Sequence, residues 1–232
     1  MKRILLKLSG EALAGEKKTG FDEETVRKVA LQVKELVDDG IQVGIVIGGG
    51  NFWRGRSSEN IDRTKADQIG MLATIMNCIY VSEIFRSVGM MTNILTPFEC
   101  GSFTKLFSKD RANKYFAKGM VVFFAGGTGH PYFSTDTGAV LRGVEIEADA
   151  ILMAKNVDGI YSADPNKDPS AVKFDDLTYD EVLARHLQAT DTTAMTLAMD
   201  NHMTLICFAL KDPQNIVRVV CGEKIGTSVK ED

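Results

Sequence analysis

Residues 41–50 read Ile41-Gln42-Val43-Gly44-Ile45-Val46-Ile47-Gly48-Gly49-Gly50, a β-branched run that stops on three glycines. Branched side chains suit a pleated strand and glycines break one, so the segment predicts a strand followed by a tight turn. Working back from it, residues 21–38 place Val26, Val29, Ala30, Val33, Leu36 and Val37 at helical spacing, with Asp22 as the cap and Gly40 just past the end. Residues 4–9 form a further apolar run that ends in Ser9-Gly10. The first fifty residues therefore read as strand, helix, strand. Downstream the alternation continues, with helices expected at 66–87, 109–117, 135–147 and 192–201 and strands at 93–96, 120–125, 150–154 and 204–210; residues 215–221 fit either. Strands separated by helices imply a mostly parallel central sheet covered on both faces, an α/β fold of the αβα-sandwich type. No stretch is rich enough in Pro, Ser or charge to act as a linker and no repeat is evident, so residues 1–232 are expected to form a single domain.

Composition narrows the class. With 44% apolar and 25% charged residues the chain is an ordinary globular one, which excludes disorder, collagen-like repeats and a coiled coil. Lys and Arg number 27 against 31 Asp and Glu, a net charge of -4, and mild acidity argues against a nucleic acid polymer as partner. Any anion site must be built locally. Uninterrupted apolar runs fall far short of the ~20 residues that span a bilayer, so no membrane partner is expected. The basic start Met1-Lys2-Arg3 is followed by only three apolar residues before Lys7, too few for a secretory signal. Cys78, Cys100, Cys207 and Cys221 form no C-x-x-C pair, so reduced, mostly buried thiols and a cytoplasmic location are expected.

Ligands of open parallel sheets bind beyond the carboxyl ends of the strands, which directs attention to the glycine-rich segments that follow apolar runs. Three are present: Lys7-Leu8-Ser9-Gly10, Gly48-Gly49-Gly50-Asn51-Phe52-Trp53-Arg54-Gly55, and the segment from Gly126-Gly127-Thr128-Gly129 through to Asp136. Glycine lets the main chain approach a ligand and turn its N–H groups towards an anion, and a helix that starts there adds partial positive charge. Any one of the three could be a plain tight turn; three together point to phosphate. Neither the G-x-x-x-x-G-K-[ST] loop nor a G-x-G-x-x-G opening a helix after the first strand is present, which disfavours a P-loop kinase and a dinucleotide-binding dehydrogenase. Lys7 sits at the end of an apolar strand, costly for a cation unless it faces an anion, and Arg54 follows the triple glycine with a planar fork suited to phosphate.

These segments, together with Asp67-x-x-Gly70-Met71-Leu72-Ala73-Thr74 and Val157-Asp158-Gly159-Ile160-Tyr161-x-Ala163-Asp164-Pro165, resemble in order and spacing the amino-acid-kinase fold family, and within it the bacterial uridylate (UMP) kinases. The resemblance runs over residues 3–228. It implies an amino-acid-kinase-like fold and ATP-dependent phosphorylation of UMP in pyrimidine nucleotide biosynthesis, with Mg2+ accompanying ATP. By the same resemblance the catalytic groups are Lys7, Arg54 and Asp136, the last orienting the cations. The ATP side takes Lys7, Leu8, Ser9, Gly10, Gly50, Arg54, Asn156, Tyr161 and Asp164, and lies mainly in the C-terminal part. The UMP side, mainly N-terminal, takes Gly49, Asp67, Thr128, Gly129, His130, Pro131, Tyr132, Phe133, Ser134 and Thr135, with His130 where relatives more often carry Asn or Ser. Asp67 is either a helix cap or a ribose ligand, and Asp191 either a cap or a neighbour of the phosphates.

The chemistry fits the residues. A phosphate monoester is already largely doubly ionised at neutrality, its second pKa being ~6, so its transfer needs no general base. Catalysis then rests on positioning and charge neutralisation, consistent with only three His. The resemblance further implies a homohexamer, an activator GTP acting through Gly15, Glu16, Lys17, Lys18, Thr19 and Gly20, and an inhibitor UTP; the apolar residues at 66–87 exceed what one sheet face needs and suit subunit packing. Competing readings are a kinase of the same fold acting on a carboxylate or carbamate, and a non-catalytic nucleotide-binding module.

Overall fold

The computed structural model describes residues 1–17, 19–53, 60–165, 167–188 and 190–231. Among these, β1 (Arg3–Leu8), β2 (Gln42–Ile47), β3 (Thr92–Thr96), β4 (Lys105–Leu106), β5 (Val121–Phe124), β6 (Ala150–Lys155), β9 (Asp176–Thr178), β10 (Leu205–Ala209) and β11 (Thr227–Lys230) form one sheet in the order β4-β3-β5-β2-β1-β6-β10-β11-β9. Its centre is parallel, and β11 turns antiparallel against β10. Two further short strands, β7 (Ile160–Tyr161) and β8 (Lys173–Phe174), make a separate ribbon beside it.

Both faces are covered, which explains why the central strands are continuously apolar instead of alternating. Ile4, Leu6 and Leu8 of β1 and Val43, Ile45 and Ile47 of β2 face one core, closed by α1 (Gly10–Ala14), α2 (Glu23–Asp38), α3 (Arg63–Ser87) and α8 (Asn215–Val220). Leu5, Val46, Ile151 and Met153 face the other, closed by α4 (Lys109–Phe116), α5 (Thr135–Glu145), α6 (Tyr179–Ala184) and α7 (Thr192–Asp200). Phe85, Phe123 and Phe208 are fully buried, and a side chain of that size adds ~1.5–3 kcal/mol when removed from water.

Helix starts follow their caps. Asp22 accepts from the Thr25 N–H at 2.8 Å and opens α2 where the spacing placed it. Asp62 caps α3, so that helix starts at Arg63 and not at 66. The ambiguous residues 215–221 contain a helix, and α5 ends two residues before 147. Helix α3 is long and apolar enough to cross a membrane by length and composition, because its polar residues interrupt every run without lowering the average. Here Cys78, Val81 and Phe85 pack into the core while Leu72, Met76 and Ile79 stay exposed on the outside.

Candidate active site

The carboxyl ends of β1, β2 and β6 and the N-termini of α5 and α7 converge on one cleft of about 890 Å³. Parallel register sets Lys7 between Val46 of β2 and Met153 of β6. Lys7 lies on the same face as Leu5, the face that α5 covers. Its ammonium therefore meets the first turn of α5, where Asp136 stands in the favourable field of the helix N-terminus. Lys7 Nζ lies 2.7 Å from Asp136 Oδ1 and Lys155 Nζ 3.3 Å from Oδ2, while Thr190 Oγ1 donates to Oδ2 at 2.8 Å.

Burial alone would push the Asp136 carboxyl up, but the ammonium groups of Lys7 and then Lys155 overcome it and hold it far below the usual carboxylate range. A carboxylate so firmly ionised is a poor proton acceptor and a good anchor for cations. Burial likewise opposes charge on Lys155, and Asp136 beside it outweighs that and raises its pKa. Asp191 is the cap of α7, accepting from the Ala194 N–H at 3.0 Å. It also accepts from the Ser134 hydroxyl and, at 2.9 Å, from Thr137 Oγ1, so it ties the starts of α5 and α7 together at the cleft wall.

The glycine turns are packed against one another. A Cβ on Gly10 would stand 2.3 Å from the Gly48 carbonyl oxygen, so the turn after β1 and the turn after β2 touch through bare main chain. The triple-glycine turn is held from behind by two buried amides. Asn77 Nδ2 donates to the Gly48 carbonyl and to Asn51 Oδ1, both at 2.7 Å, and Asn51 Nδ2 donates to the Gly20 carbonyl at 2.8 Å. In the third turn Gly126 and Gly129 have φ of +80° and +85°, a region a side chain rarely tolerates, and the Gly126 N–H donates to Thr74 Oγ1 at 2.8 Å.

Two smaller hollows open into this cleft. One, about 220 Å³, shares Gly49, Gly50, Ser134 and Thr135 with it and adds Asp67, Thr128, His130 and Phe133. The other, about 310 Å³, shares His186, Leu187 and Gln188 with it and adds Val157, Tyr161 and Asp164. The two hollows thus adjoin the cleft through different walls, one at the triple-glycine turn and the start of α5, the other at residues 186–188. Asp67 is not a cap, since Asp62 fills that place; its Oδ2 accepts from Arg63 Nε at 2.9 Å and from the Tyr132 N–H at 2.7 Å. Tyr132 has a φ of +72°, unusual for a non-glycine residue, and its ring lies under the Arg63 guanidinium at 5.3 Å. Asp67 thus fixes the loop that contains Gly129, Pro131 and Tyr132.

Some expected residues fall elsewhere. The Leu8 side chain is wholly buried and its carbonyl accepts from the Gly48 N–H, so it faces the core and not the cleft. Asn156 lines a further hollow of about 630 Å³ with Gly15, Glu16, Lys28 and Lys211, which meets the cleft at Glu11 and Gly50 and does not include Tyr161 or Asp164. Lys17 donates to the Phe21 carbonyl and Gly20 is bound to Asn51 through both main-chain groups, so this segment is tied to the triple-glycine turn. Arg54, Gly55 and Lys18 lie outside the described residues. Lys155 and Thr190 were missed by the sequence reading. The signal for Lys155 was available, since it too ends an apolar strand, residues 150–154. Among the described residues no three His, Cys, Asp or Glu side chains gather as a metal cage. The cleft carboxylates of Asp136 and Asp191 are instead engaged by lysine and hydroxyl groups.

A family model for the amino acid kinase family matches residues 2–213. Among solved structures, a UMP kinase from Bacillus anthracis is 36% identical, with a TM-score of 0.95 over 100% of this chain and 96% of that one. A UMP kinase from Ureaplasma parvum is 34% identical, with a TM-score of 0.93 over 99% of each chain. A uridylate kinase from Archaeoglobus fulgidus is 28% identical, with a TM-score of 0.75 over 99% of this chain and 100% of that one. With its sheet order, its lysine-flanked cleft and these likenesses taken together, the chain belongs to the amino acid kinase family.

Proposed function

We propose that the protein transfers the γ-phosphoryl group of MgATP to the phosphate of UMP, giving UDP and ADP, a step of pyrimidine nucleotide biosynthesis. The observation that carries the reading is the cleft that holds Lys7 and Asp136 and adjoins two smaller hollows through different walls, because a phosphoryl group passing between two nucleotides needs a cation where they meet. The two UMP kinases of 34–36% identity supply the nucleotide. An acceptor phosphate oxygen attacks the γ-phosphorus, the bond to the β,γ-bridging oxygen breaks, and its electron pair leaves with ADP. The acceptor is already ionised, and Asp136, pinned in its charged form, takes no proton.

Residue roles follow the spaces. Lys7 faces the transferring group, with Arg54 as its second clamp; Ser9, Gly10 and Gly50 turn main-chain N–H groups to the ATP phosphates, and Tyr161 and Asp164 receive the nucleoside. Gly49, Asp67 and the loop Thr128 to Thr135 receive UMP, with Asp67 Oδ1 turned to the ribose while Oδ2 holds the loop. Magnesium enters as part of the nucleotide substrate, its usual mode when a site offers few carboxylates. The chain works as one domain, in the cytoplasm, as a homohexamer to which the exposed Leu72, Met76 and Ile79 of α3 contribute. GTP activates through residues 15–20 and UTP inhibits. Asn51, next to the triple glycine, binds Gly20 on one side and Asn77 of α3 on the other and supplies a physical link for the activator.

A coupled assay of ADP release across UMP, CMP, dUMP, aspartate, acetylglutamate and carbamate tests the proposal. Turnover with UMP is expected. Turnover only with a carboxylate or carbamate would replace the acceptor, and nucleotide binding without turnover would make this a binding module. Turnover unchanged by GTP would remove the activator.

A further inference from the structure

We infer that Trp53 sets the spacing between the phosphate seat and the ribose seat of the acceptor, as a positioning residue for a nucleoside monophosphate; the inference rests on the kinase reading above and deepens it. Trp53 is the chain's one tryptophan, and it lines the acceptor hollow with Gly49, Asp67 and Gly70. Its two N–H groups reach different walls of that hollow. The main-chain N–H donates to the Gly49 carbonyl at 3.0 Å and closes the triple-glycine turn. The indole Nε1 donates to the Ala66 carbonyl at 2.8 Å, in the first turn of α3 and directly before Asp67. An indole N–H can only donate, so a half-buried tryptophan that finds a carbonyl is held by its polar edge as well as by its apolar body.

The packing around this tether leaves little slack. A Cβ on Gly49 would stand 3.0 Å from the Gly70 carbonyl oxygen and 3.1 Å from Ala73 Cβ, so the turn lies directly on α3. A Cβ on Gly70 would meet Trp53 Cδ1 at 3.8 Å, which sets the indole across the turn of α3 between Ala66 and Gly70. Asp67 belongs to that same turn. Its Oδ2 accepts from the Tyr132 N–H at 2.7 Å, which ties in the loop that supplies Thr128, His130 and Phe133 to the hollow. A nucleoside monophosphate carries its phosphate and its ribose hydroxyls within a limited span, so the groups that receive them must keep a matching separation. Gly49 receives the phosphate and Asp67 the ribose, and Trp53 holds the segments of both before the substrate arrives. Such preorganisation matters because a misplacement of about 1 Å can cost ~10²-fold in rate.

Kinetics with UMP and dUMP, together with tryptophan emission, test the role in the wild type and in Trp53→Phe, which keeps an aromatic ring and removes the donor. Trp53→Phe should raise KM for UMP by ~3–10-fold, the loss of one hydrogen bond, and change KM for ATP and turnover less. It should also narrow the preference for UMP over dUMP, because a ribose seat that has slipped holds the 2′-hydroxyl less well. In the wild type, UMP added with a non-transferable ATP analogue should shift or quench the emission of the single tryptophan. If Trp53 only fills space, the variant melts at a lower temperature with both KM values and the UMP-to-dUMP ratio unchanged, and that result overturns the inference. An equal rise in KM for ATP and UMP overturns it too. Should Trp53→Phe not fold, the wild-type emission decides: a change that saturates with UMP and is absent with the analogue alone supports the role, and emission indifferent to UMP overturns it. Calorimetry on the same mixture separates the two claims. UMP bound with Trp53 silent overturns this inference alone; no UMP binding overturns the kinase reading with it.

Discussion

Strand β1 begins with an arginine and carries a lysine one residue before its end, and the two ends treat their charge differently. At the amino end Arg3 donates to Gln42 Oε1 at 2.7 Å and to the Ile146 carbonyl, lies over the Phe116 ring at 4.9 Å, and shares the Asp149 carboxylate with Lys2 through main-chain N–H groups. Each of these groups closes on a neighbour across the sheet edge. At the carboxyl end Lys7, Lys155 and Asp136 also pair, but they do so in the wall of a cleft lined by bare glycine turns. Equal polarity thus serves structure at one end of the sheet and leaves cleft-facing groups at the other, where ligands of parallel sheets bind.

The contrast can be broken most forcefully at Asp136. Asp136→Ala leaves two cations side by side in a largely buried place, and urea unfolding at neutral pH should show a loss of ~3 kcal/mol or more. The group's folded pKa lies below its unfolded value of 3.8, so its contribution is complete above that pH and is lost as pH falls through the lower folded value. Asp136→Asn should therefore unfold with a flatter acid limb than wild type below about pH 4; identical limbs would mean that the ion pairs are not formed in solution. Lys7→Ala should cut turnover per folded molecule by ~10²-fold or more, and a near-normal rate would make Lys7 a structural lysine. Asp67→Asn should raise the Michaelis constant for UMP by ~10-fold while changing turnover less, because a charged acceptor is lost and an amide oxygen still holds the Tyr132 N–H. At the quiet end, Arg3→Ala should cost ~1–2 kcal/mol of stability and leave turnover per folded molecule unchanged; a large loss of turnover there would erase the contrast. Lys34→Ala, which removes an equally short but solvent-exposed pair with Asp38 at 2.6 Å, should cost only a few tenths of a kcal/mol, about the usual worth of such pairs.

Much of this contrast was legible before any coordinates. Long elements announced themselves, because α2 and β2 carry enough apolar residues for periodicity to show. The site's glycine turns followed from their place after apolar runs. What escaped was short or distributed. Strands β4, β7, β8 and β9 have two or three residues each, and α1 and α6 five and six, too few for any period to register. Lys155 carried the same local signal as Lys7, but its meaning depends on strand order: only the pairing of β1 with β6 places the two lysines on one carboxylate. Asp67 was readable as a cap or a ligand; Asp62, five residues earlier, takes the cap, and Asp67 instead holds a loop sixty-five positions away in the chain. Such contacts between distant segments leave no trace in spacing.

A crystal structure with UMP and a non-transferable ATP analogue bound together tests the central claim most directly. The γ-phosphate should lie at ~3 Å from Lys7 Nζ, at hydrogen-bond distance as charge-assisted contacts are, with the UMP phosphate over Gly49 and its ribose against Asp67. Phosphates of either nucleotide found away from the carboxyl ends of β1 and β2, or a Lys7 that keeps Asp136 as its sole partner with both nucleotides in place, would contradict it.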